Sequence, residues 1–180
     1  SRKKVGALIR AGRVSVGGTE ARRPEQKADP ETDAITVDGR NLNFKKHVYL
    51  MMNKPEGVLS AARDPRARTV VDLLPSGLRR RGIFPAGRLD KDTRGLLILT
   101  DDGGFAHRML SPKSNVTKWH EAILQSPVSE VDILRFRRGV ALGDGTVCLP
   151  AELSVLREGE HSAALTGVRE GKFHQVKRMF

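Results

Sequence analysis

The chain has 180 residues, of which 38% are hydrophobic and 29% are charged, and its 32 Lys and Arg residues against 21 Asp and Glu give a formal net charge of +11. This size fits one ordinary domain with a small additional module; the one cysteine excludes a disulfide framework, and no segment approaches the roughly 18 apolar residues that cross a bilayer. We therefore expect a soluble, cytoplasmic protein with no membrane partner, and the positive charge favours a polyanionic partner such as nucleic acid.

The N-terminal residues predict a small module made of one helix and a hairpin-rich sheet. Residues 1–10 are typical of a short basic helix, and Gly12 is placed to end it. The apolar side of this helix would hold Val5, Leu8 and Ile9. Residues 13–16 and 34–37 alternate as strands do, and each segment precedes a glycine-containing turn signal. Residues 20–31, with two prolines among mixed charges, predict a loop within the module.

The rest of the chain predicts a larger domain that mixes helices and strands. Its strands are expected at 49–52, 121–124 and 163–168, and a helix is expected at 130–138. The apolar run 96–99 fits either a buried strand or the start of a helix. Because strands and helices do not alternate strictly, the predicted fold class is α+β with a mainly antiparallel mixed sheet. The domain boundary is expected near residues 42–46, which gives domains 1–43 and 44–180.

Asp90 is the candidate reactive residue, because it stands between Arg88 and the apolar run 96–99. A carboxylate at the edge of a core can be desolvated and held in one direction. Asp90 and Asp92 could instead be turn formers or a helix N-cap. A calcium loop, which the spacing of the aspartates also suggests, is excluded because Arg94 would place a cation at a ligand position.

Four ordered blocks of sequence carry a resemblance to a known family. They are residues 53–57, 87–103, 111–118 and 170–180. These blocks resemble the motifs of the RNA pseudouridine synthases, and in particular the group that carries an S4 domain and modifies ribosomal RNA. Residues 64–74 and 126–128 resemble the small-subunit branch of that group. The family continues beyond the last block with a further helix and strand, so the resemblance implies a catalytic domain over 44–180 that is incomplete at its C-terminal end.

The first domain, residues 1–43, resembles an S4 RNA-binding domain. It departs from the family at Gly6, where an acidic residue is usual, and at Gly17, where Asn is usual. The chain begins inside the S4 pattern, so the resemblance implies that this domain is incomplete at its N-terminal end. Basic side chains here would contact phosphates, which position RNA without reading its sequence. They are Arg2, Lys3, Lys4, Arg10 and Arg13. An ordinary solvated face is the alternative.

The resemblance implies that uridine becomes pseudouridine. The bond from ribose C1′ to N1 breaks, the uracil turns and C1′ bonds to C5, with no oxidation, no energy input and no cofactor. Asp90, at the catalytic position, would attack C1′ or abstract the C2′ proton, and either role requires the ionised carboxylate. In the family a cation from the last block supports this carboxylate, here Lys177 with Arg178 as second candidate. If these two residues lie in a strand, their side chains point to opposite faces and only one can serve.

Further RNA contacts follow from the same resemblance. Arg88 would enter the RNA stack beside the extruded nucleotide, where its planar guanidinium can stack and hydrogen-bond. A salt bridge from Arg88 to Asp90 or Asp92 is the alternative. Lys54 and Lys118 lie in two of the matching blocks and are also predicted to contact RNA.

The family places a tyrosine two residues after Lys118, where it stacks on the uracil and assists removal of the C5 proton. This chain has His120 at that position. Histidine can stack and accept a proton near neutral pH. A different local register would instead place Trp119 over the base, which gives stacking without proton transfer.

Two functions of different class remain open. The first is an enzyme that modifies ribosomal RNA, with small-subunit 16S RNA favoured over large-subunit 23S RNA and with either naked RNA or a partly assembled subunit as substrate. The second is an S4-bearing ribosome-assembly protein whose catalytic centre has decayed at His120. Retention of Asp90, Arg88 and Lys177 favours the enzyme. We expect a monomer, and no metal site, because the remaining histidines and Cys148 lack ligand spacing.

Overall fold

The chain divides into two compact units, residues 1–47 and 48–180. The computed structural model describes residues 2–42, 44–79, 82–159 and 161–180. Ser1, the start of the predicted first helix, and Asn43, the end of the predicted first domain, lie outside the described residues. The first unit ends at His47, so residues 44–47 belong to it rather than to the second domain as predicted.

The described residues of the first unit form one helix and a four-stranded antiparallel sheet of order β2-β1-β3-β4. Its elements are α1 (Arg2–Arg10), β1 (Val14–Val16), β2 (Thr19–Glu20), β3 (Ile35–Val37) and β4 (Arg40–Asn41). Gly12 ends the helix region with φ +66°, as predicted. The pairs Gly17-Gly18 and Asp38-Gly39 each have two positive φ angles, which two-residue hairpin turns of type I′ require. On the predicted apolar side of α1, Ile9 is buried and Leu8 is partly buried, whereas Val5 is 52% exposed.

The second unit begins with a three-stranded antiparallel sheet of order β5-β7-β6. Its strands are β5 (Tyr49–Lys54), β6 (Phe84–Ala86) and β7 (Gly95–Thr100), with a 3-10 helix at Val70–Leu73 and α2 (Ser76–Arg79) between β5 and β6. The apolar run 96–99 is therefore a strand, in which Leu97 and Leu99 face the core while Leu96 is 67% exposed. The buried core contains Val58, Val70, Val71, Leu74, Ile83, Leu97 and Leu99.

A second three-stranded antiparallel sheet, of order β8-β10-β9, completes this unit. Its elements follow α3 (Gly103–Leu110) and a 3-10 helix at Pro112–Ser114, and they are β8 (Lys118–Leu124), α4 (Glu130–Arg138), β9 (Glu152–Arg157), β10 (Ser162–Val168) and α5 (Gln175–Met179). The predicted strands at 121–124 and 163–168 and the predicted helix at 130–138 are confirmed. Ser129 and Asp132 cap α4 reciprocally, which explains why that helix begins where the sequence predicts.

The predicted α+β class is confirmed, and every pairing between the named strands is antiparallel. A second buried core lies under the β8-β10-β9 sheet and contains Phe136, Leu142, Cys148, Ala151, Leu153, Ala164, Val168 and Met179. Within the described residues, no helix is long and apolar enough to cross a membrane.

Candidate active site

Asp90 lies in the loop between β6 and β7, and backbone contacts fix that loop. The carbonyl of Asp90 accepts a hydrogen bond from the Thr93 N–H at 3.1 Å, which closes a turn. The Ser60 hydroxyl donates to the Leu89 carbonyl at 2.8 Å and accepts from the Leu89 N–H at 3.1 Å. The loop leads into strand β7, so the alternative of Asp90 as a helix N-cap is wrong. Its side chain is 30% exposed, which leaves it accessible yet partly desolvated.

Lys54 stabilises the same loop by hydrogen bonds to its backbone carbonyls. Its side chain is fully buried, and its Nζ donates to the carbonyls of Pro55, Asp90, Lys91 and Thr93 at 2.8 to 3.2 Å. Burial lowers the pKa of Lys54, and the negative charges of Asp92, Asp90 and Glu56 oppose that shift. The predicted RNA contact of Lys54 is therefore wrong, because a phosphate has no access to an ammonium enclosed by four carbonyl oxygens.

Replacing Lys54 by methionine is expected to lower the free energy of unfolding by about 3 kcal/mol, because buried carbonyls lose their donor. Urea denaturation measures this change, and pseudouridine formation should fall as well because the Asp90 turn loosens. Lys91→Met is the matched control, since Lys91 is exposed in the same loop, and it should leave stability unchanged. Equal stability of the Lys54 and Lys91 variants would contradict the assigned role.

Helix α5 brings Lys177 to the Asp90 loop. The Lys177 Nζ contacts both carboxylate oxygens of Asp92, at 2.6 and 2.8 Å, and lies 3.4 Å from Asp90 Oδ2. These hydrogen bonds, with Asp92 first, raise the pKa of Lys177, and the bond from Lys177 lowers the pKa of Asp92. The cation predicted for Asp90 is thus present, but it is shared with Asp92 and bonds Asp92 more closely.

The argument from a strand does not apply to Lys177 and Arg178, because both residues lie in α5. Their side chains nevertheless diverge. The Arg178 guanidinium pairs with Asp144 at 2.6 Å and also donates to the Phe173 carbonyl at 3.3 Å. It lines a different cavity from Asp90, so Lys177 and not Arg178 is the cation beside that carboxylate, and the RNA contact of Arg178 stays a prediction.

Strand β8 places His120 in the same cavity as Asp90 and Lys177. Side chains alternate along a strand, and Lys118 and His120 point to one face while Trp119 lies on the other. The Trp119 ring lies against Gly167, where a Cβ would come within 2.9 Å of it, so the alternative that put Trp119 over the base is wrong. Burial lowers the pKa of His120, the positive charge of Lys118 lowers it further and Asp90 opposes the shift. His120 is therefore neutral at pH 7 and able to accept a proton.

A cavity of about 440 Å³ unites these side chains, within the size range of ligand pockets. Its functional lining includes Arg88, Asp90, Lys118, His120 and Lys177, and its apolar lining includes Leu89, Ala122, Val168, Val176 and Phe180. Such a mixture can enclose a flat base while it holds charged groups at one edge. Arg88 is exposed at this site.

Lys177→Met is expected to lower kcat about 100-fold, because Asp90 and Asp92 then face each other without the cation between them. Lys177→Arg keeps a positive charge and should recover most of this loss. Turnover on RNA labelled with tritium at uridine C5 measures both variants. Full activity in Lys177→Met would mean that the lysine only ties α5 to the loop.

The basic residues predicted to bind phosphate in the first unit are placed at its surface. Arg2, Lys3, Lys4 and Arg10 are exposed on α1, as is Arg13 after it. Arg13 makes a bidentate ion pair with Asp38, at 2.6 and 2.5 Å, which occupies one edge of its guanidinium. That pair raises the pKa of Arg13 and lowers the pKa of Asp38.

Sequence reasoning missed several residues that shape the site. His174 lies with its Nε2 3.6 Å from Asp90 Oδ1 and has φ +46°. Gln175 is 5% exposed and bonds both the Lys172 N–H and Glu170, so it fixes the loop before α5. Ser60 braces Leu89. The signal that could have indicated His174 and Gln175 is the block 170–180, which contains both residues.

A carboxylate beside a lysine ammonium shares one cavity with a neutral histidine, in a strongly basic chain. This arrangement fits the class of enzymes that act on the bases of nucleic acids. Residues 48–180 match the family model described as RNA pseudouridylate synthase. A solved pseudouridylate synthase structure is 32% identical, with a TM-score of 0.67 and coverage of 100% of this chain and 76% of that chain. The chain therefore belongs to the RNA pseudouridylate synthase family and is an RNA pseudouridine synthase.

Relatives extend this similarity over the whole chain. The uncharacterized RNA pseudouridine synthase YtzG of Bacillus subtilis is 45% identical over 180 residues, covering 99% of this chain and 75% of that protein. Ribosomal small subunit pseudouridine synthase A of Vibrio cholerae is 37% identical, covering 100% of this chain and 76% of that protein. Ribosomal large subunit pseudouridine synthase B of Bacillus subtilis is 36% identical, covering 100% and 74%.

Proposed function

We propose that this enzyme isomerises a specific uridine in ribosomal RNA, in the 16S RNA of the small subunit. The proposal is supported by the relatives named for the small subunit and by the local resemblance of residues 64–74 and 126–128 to that branch. Large-subunit 23S RNA is the second candidate, favoured by the 36% identity to a large-subunit synthase. The observation that carries the function is the convergence of Asp90, Lys177 and His120 on one cavity.

Catalysis begins when the target uridine leaves its stack and enters the cavity, with its ribose beside Asp90. The ionised carboxylate of Asp90 acts on the sugar, by attack on C1′ or by removal of the C2′ proton, and the C1′–N1 bond breaks. Lys177 keeps the carboxylate directed, because its ammonium lies behind both Asp90 and Asp92. The detached uracil turns within the cavity and C1′ bonds to C5. On the first route the bond from Asp90 to C1′ breaks as this bond forms, and on the second route Asp90 returns its proton to C2′.

His120 completes the reaction. After the new bond forms, C5 carries both the sugar and its original proton, and this proton must leave while N1 gains one. The neutral imidazole of His120 takes the C5 proton, as its lowered pKa permits at pH 7. The family uses tyrosine here, so this chain performs the same step with a different base. The overall change needs no cofactor.

RNA is held by positive charge around this cavity and on the first unit. Arg88 takes the place of the extruded nucleotide in the stack, and Lys118 contacts the backbone. The first unit acts as an S4-like module, whose exposed Arg2, Lys3, Lys4 and Arg10 meet phosphates. The enzyme acts as a monomer in the cytoplasm, on naked ribosomal RNA or on a partly assembled small subunit.

The test compares ribosomal RNA from cells with and without the protein. One position in 16S RNA should lose its pseudouridine, and purified enzyme should restore it with release of tritium from C5-labelled RNA. Loss from 23S RNA would select the second candidate. Unchanged modification, together with RNA binding but no tritium release, would favour the assembly-protein alternative.

A further inference from the structure

Phe173 forms a stack that leads outward from the catalytic carboxylate. Its ring is 71% exposed and lies against the His174 ring, with centroids 3.8 Å apart and planes 20° from parallel. His174 in turn places its Nε2 3.6 Å from Asp90 Oδ1. In space, the Asp90 carboxylate is therefore followed by the His174 ring and then by the Phe173 ring, which is open to solvent.

The position of Phe173 is fixed by contacts on both sides. Its carbonyl accepts from Arg178 at 3.3 Å, and Arg178 is held by Asp144 at 2.6 Å. On the other side, the Lys172 N–H donates to the nearly buried Gln175 side chain at 2.9 Å. A ring on such a braced loop loses little conformational freedom when a ligand binds.

The surroundings favour a nucleotide as the ligand. His174 lines the same cavity as Asp90 and Arg88, so a chain that delivers a uridine to Asp90 passes beside this stack. Flipping one nucleotide removes a stacking partner from its neighbour, and an aromatic side chain can replace that partner without regard to base identity. The cavity beside His174 is also lined by Arg88 and Lys118, whose positive charges suit an RNA strand and not an apolar protein segment.

We propose that Phe173, supported by His174, is a stacking platform for the base next to the target uridine. This inference rests on the proposed function for the position of the flanking base. Phe173 is a binding residue in it, and it takes no part in bond making. Its ligand is any unstacked RNA base, so the platform contributes affinity and orientation and does not select sequence.

Three substitutions at Phe173 distinguish the effect of aromatic stacking from the effect of side-chain size and hydrophobicity. Phe173→Ala should raise KM for ribosomal RNA about tenfold and leave kcat at saturating RNA within about threefold. Phe173→Trp should match the wild type, whereas Phe173→Leu, which is apolar but cannot stack, should match Phe173→Ala. Met51→Ala is the control, because Met51 is 83% exposed and lies on β5, away from the loop. Equal melting temperatures exclude unfolding.

Photocrosslinking tests the contact without catalysis. An RNA fragment spanning the modified uridine, or a twelve-nucleotide oligouridylate if none is modified, carries 5-iodouridine at one position at a time. A crosslink mapped to Phe173 from the position beside the target, and absent in Phe173→Leu, supports the platform. Tritium release by the wild type tests the proposed function separately. The platform is overturned, even if the enzyme is active, by any of three results. These are a crosslink that maps elsewhere, an unchanged KM in Phe173→Ala, and a loss in Phe173→Ala that affects only kcat.

Discussion

Asp90→Asn is expected to abolish pseudouridine formation, with a loss of at least about a thousandfold in kcat. The amide has the shape of the carboxylate but no charge and no basic oxygen, so it can neither attack C1′ nor remove the C2′ proton. RNA affinity should stay within about twofold, because Arg88 and Lys118 are unchanged. Tritium release from C5-labelled ribosomal RNA measures turnover, and filter binding measures affinity.

Asp92→Asn is the matched control for this experiment. Asp92 is two residues away, has a 70% exposed side chain and bonds the same Lys177. Loss of the Asp92 charge leaves Lys177 3.4 Å from Asp90 and able to pair with it alone. Activity should therefore fall less than about tenfold. A comparable loss in both variants would show that the two acids act as a unit, and activity in Asp90→Asn would remove Asp90 from the mechanism.

His120→Ala is expected to lower kcat by about 100-fold or more, since general bases contribute this much, while RNA affinity is kept. His120→Tyr should restore turnover by supplying the side chain that the family uses. Because burial and Lys118 lower the pKa of His120, wild-type activity should rise with pH below about 6.5 and stay level above it. Only the neutral imidazole accepts the C5 proton.

The pH profile of His120→Tyr is the control for this assignment. A tyrosine hydroxyl does not titrate below pH 8, so the rise below 6.5 should disappear while the rest of the site is unchanged. An identical rise in His120→Tyr would assign it to another group. Unchanged turnover in His120→Ala would make His120 a bystander in the cavity.

The local elements follow from the sequence to different extents. The sequence predicted the strands at 121–124 and 163–168, which lie in β8 and β10, and the capping residue Ser129 explains the start of α4. The sequence left the element around Lys177 and Arg178 open, and they form a helix, because five residues carry too little periodicity to choose between helix and strand. Of the apolar side predicted for α1, Ile9 is buried and Val5 is exposed.

The candidate site divides in the same way. Motif resemblance in the sequence identified Asp90, Lys177 and His120, and all three line one cavity. It also selected Lys54 as an RNA contact, which is wrong. Residue identity alone cannot distinguish a lysine that contacts phosphate from a lysine that is enclosed by carbonyl oxygens, because the side chain is the same cation in both cases.

By itself the sequence determined the family, the α+β class and the residue types available for chemistry, since these depend on local pattern and on residue identity. The tertiary structure alone decided which cation meets which acid. Lys177 reaches Asp92 across 85 positions of sequence, Lys54 reaches Thr93 across 39, and the Phe173 ring lies on a histidine beside Asp90. Such contacts depend on how sheets and helices pack, and packing is a property of the whole chain rather than of any segment.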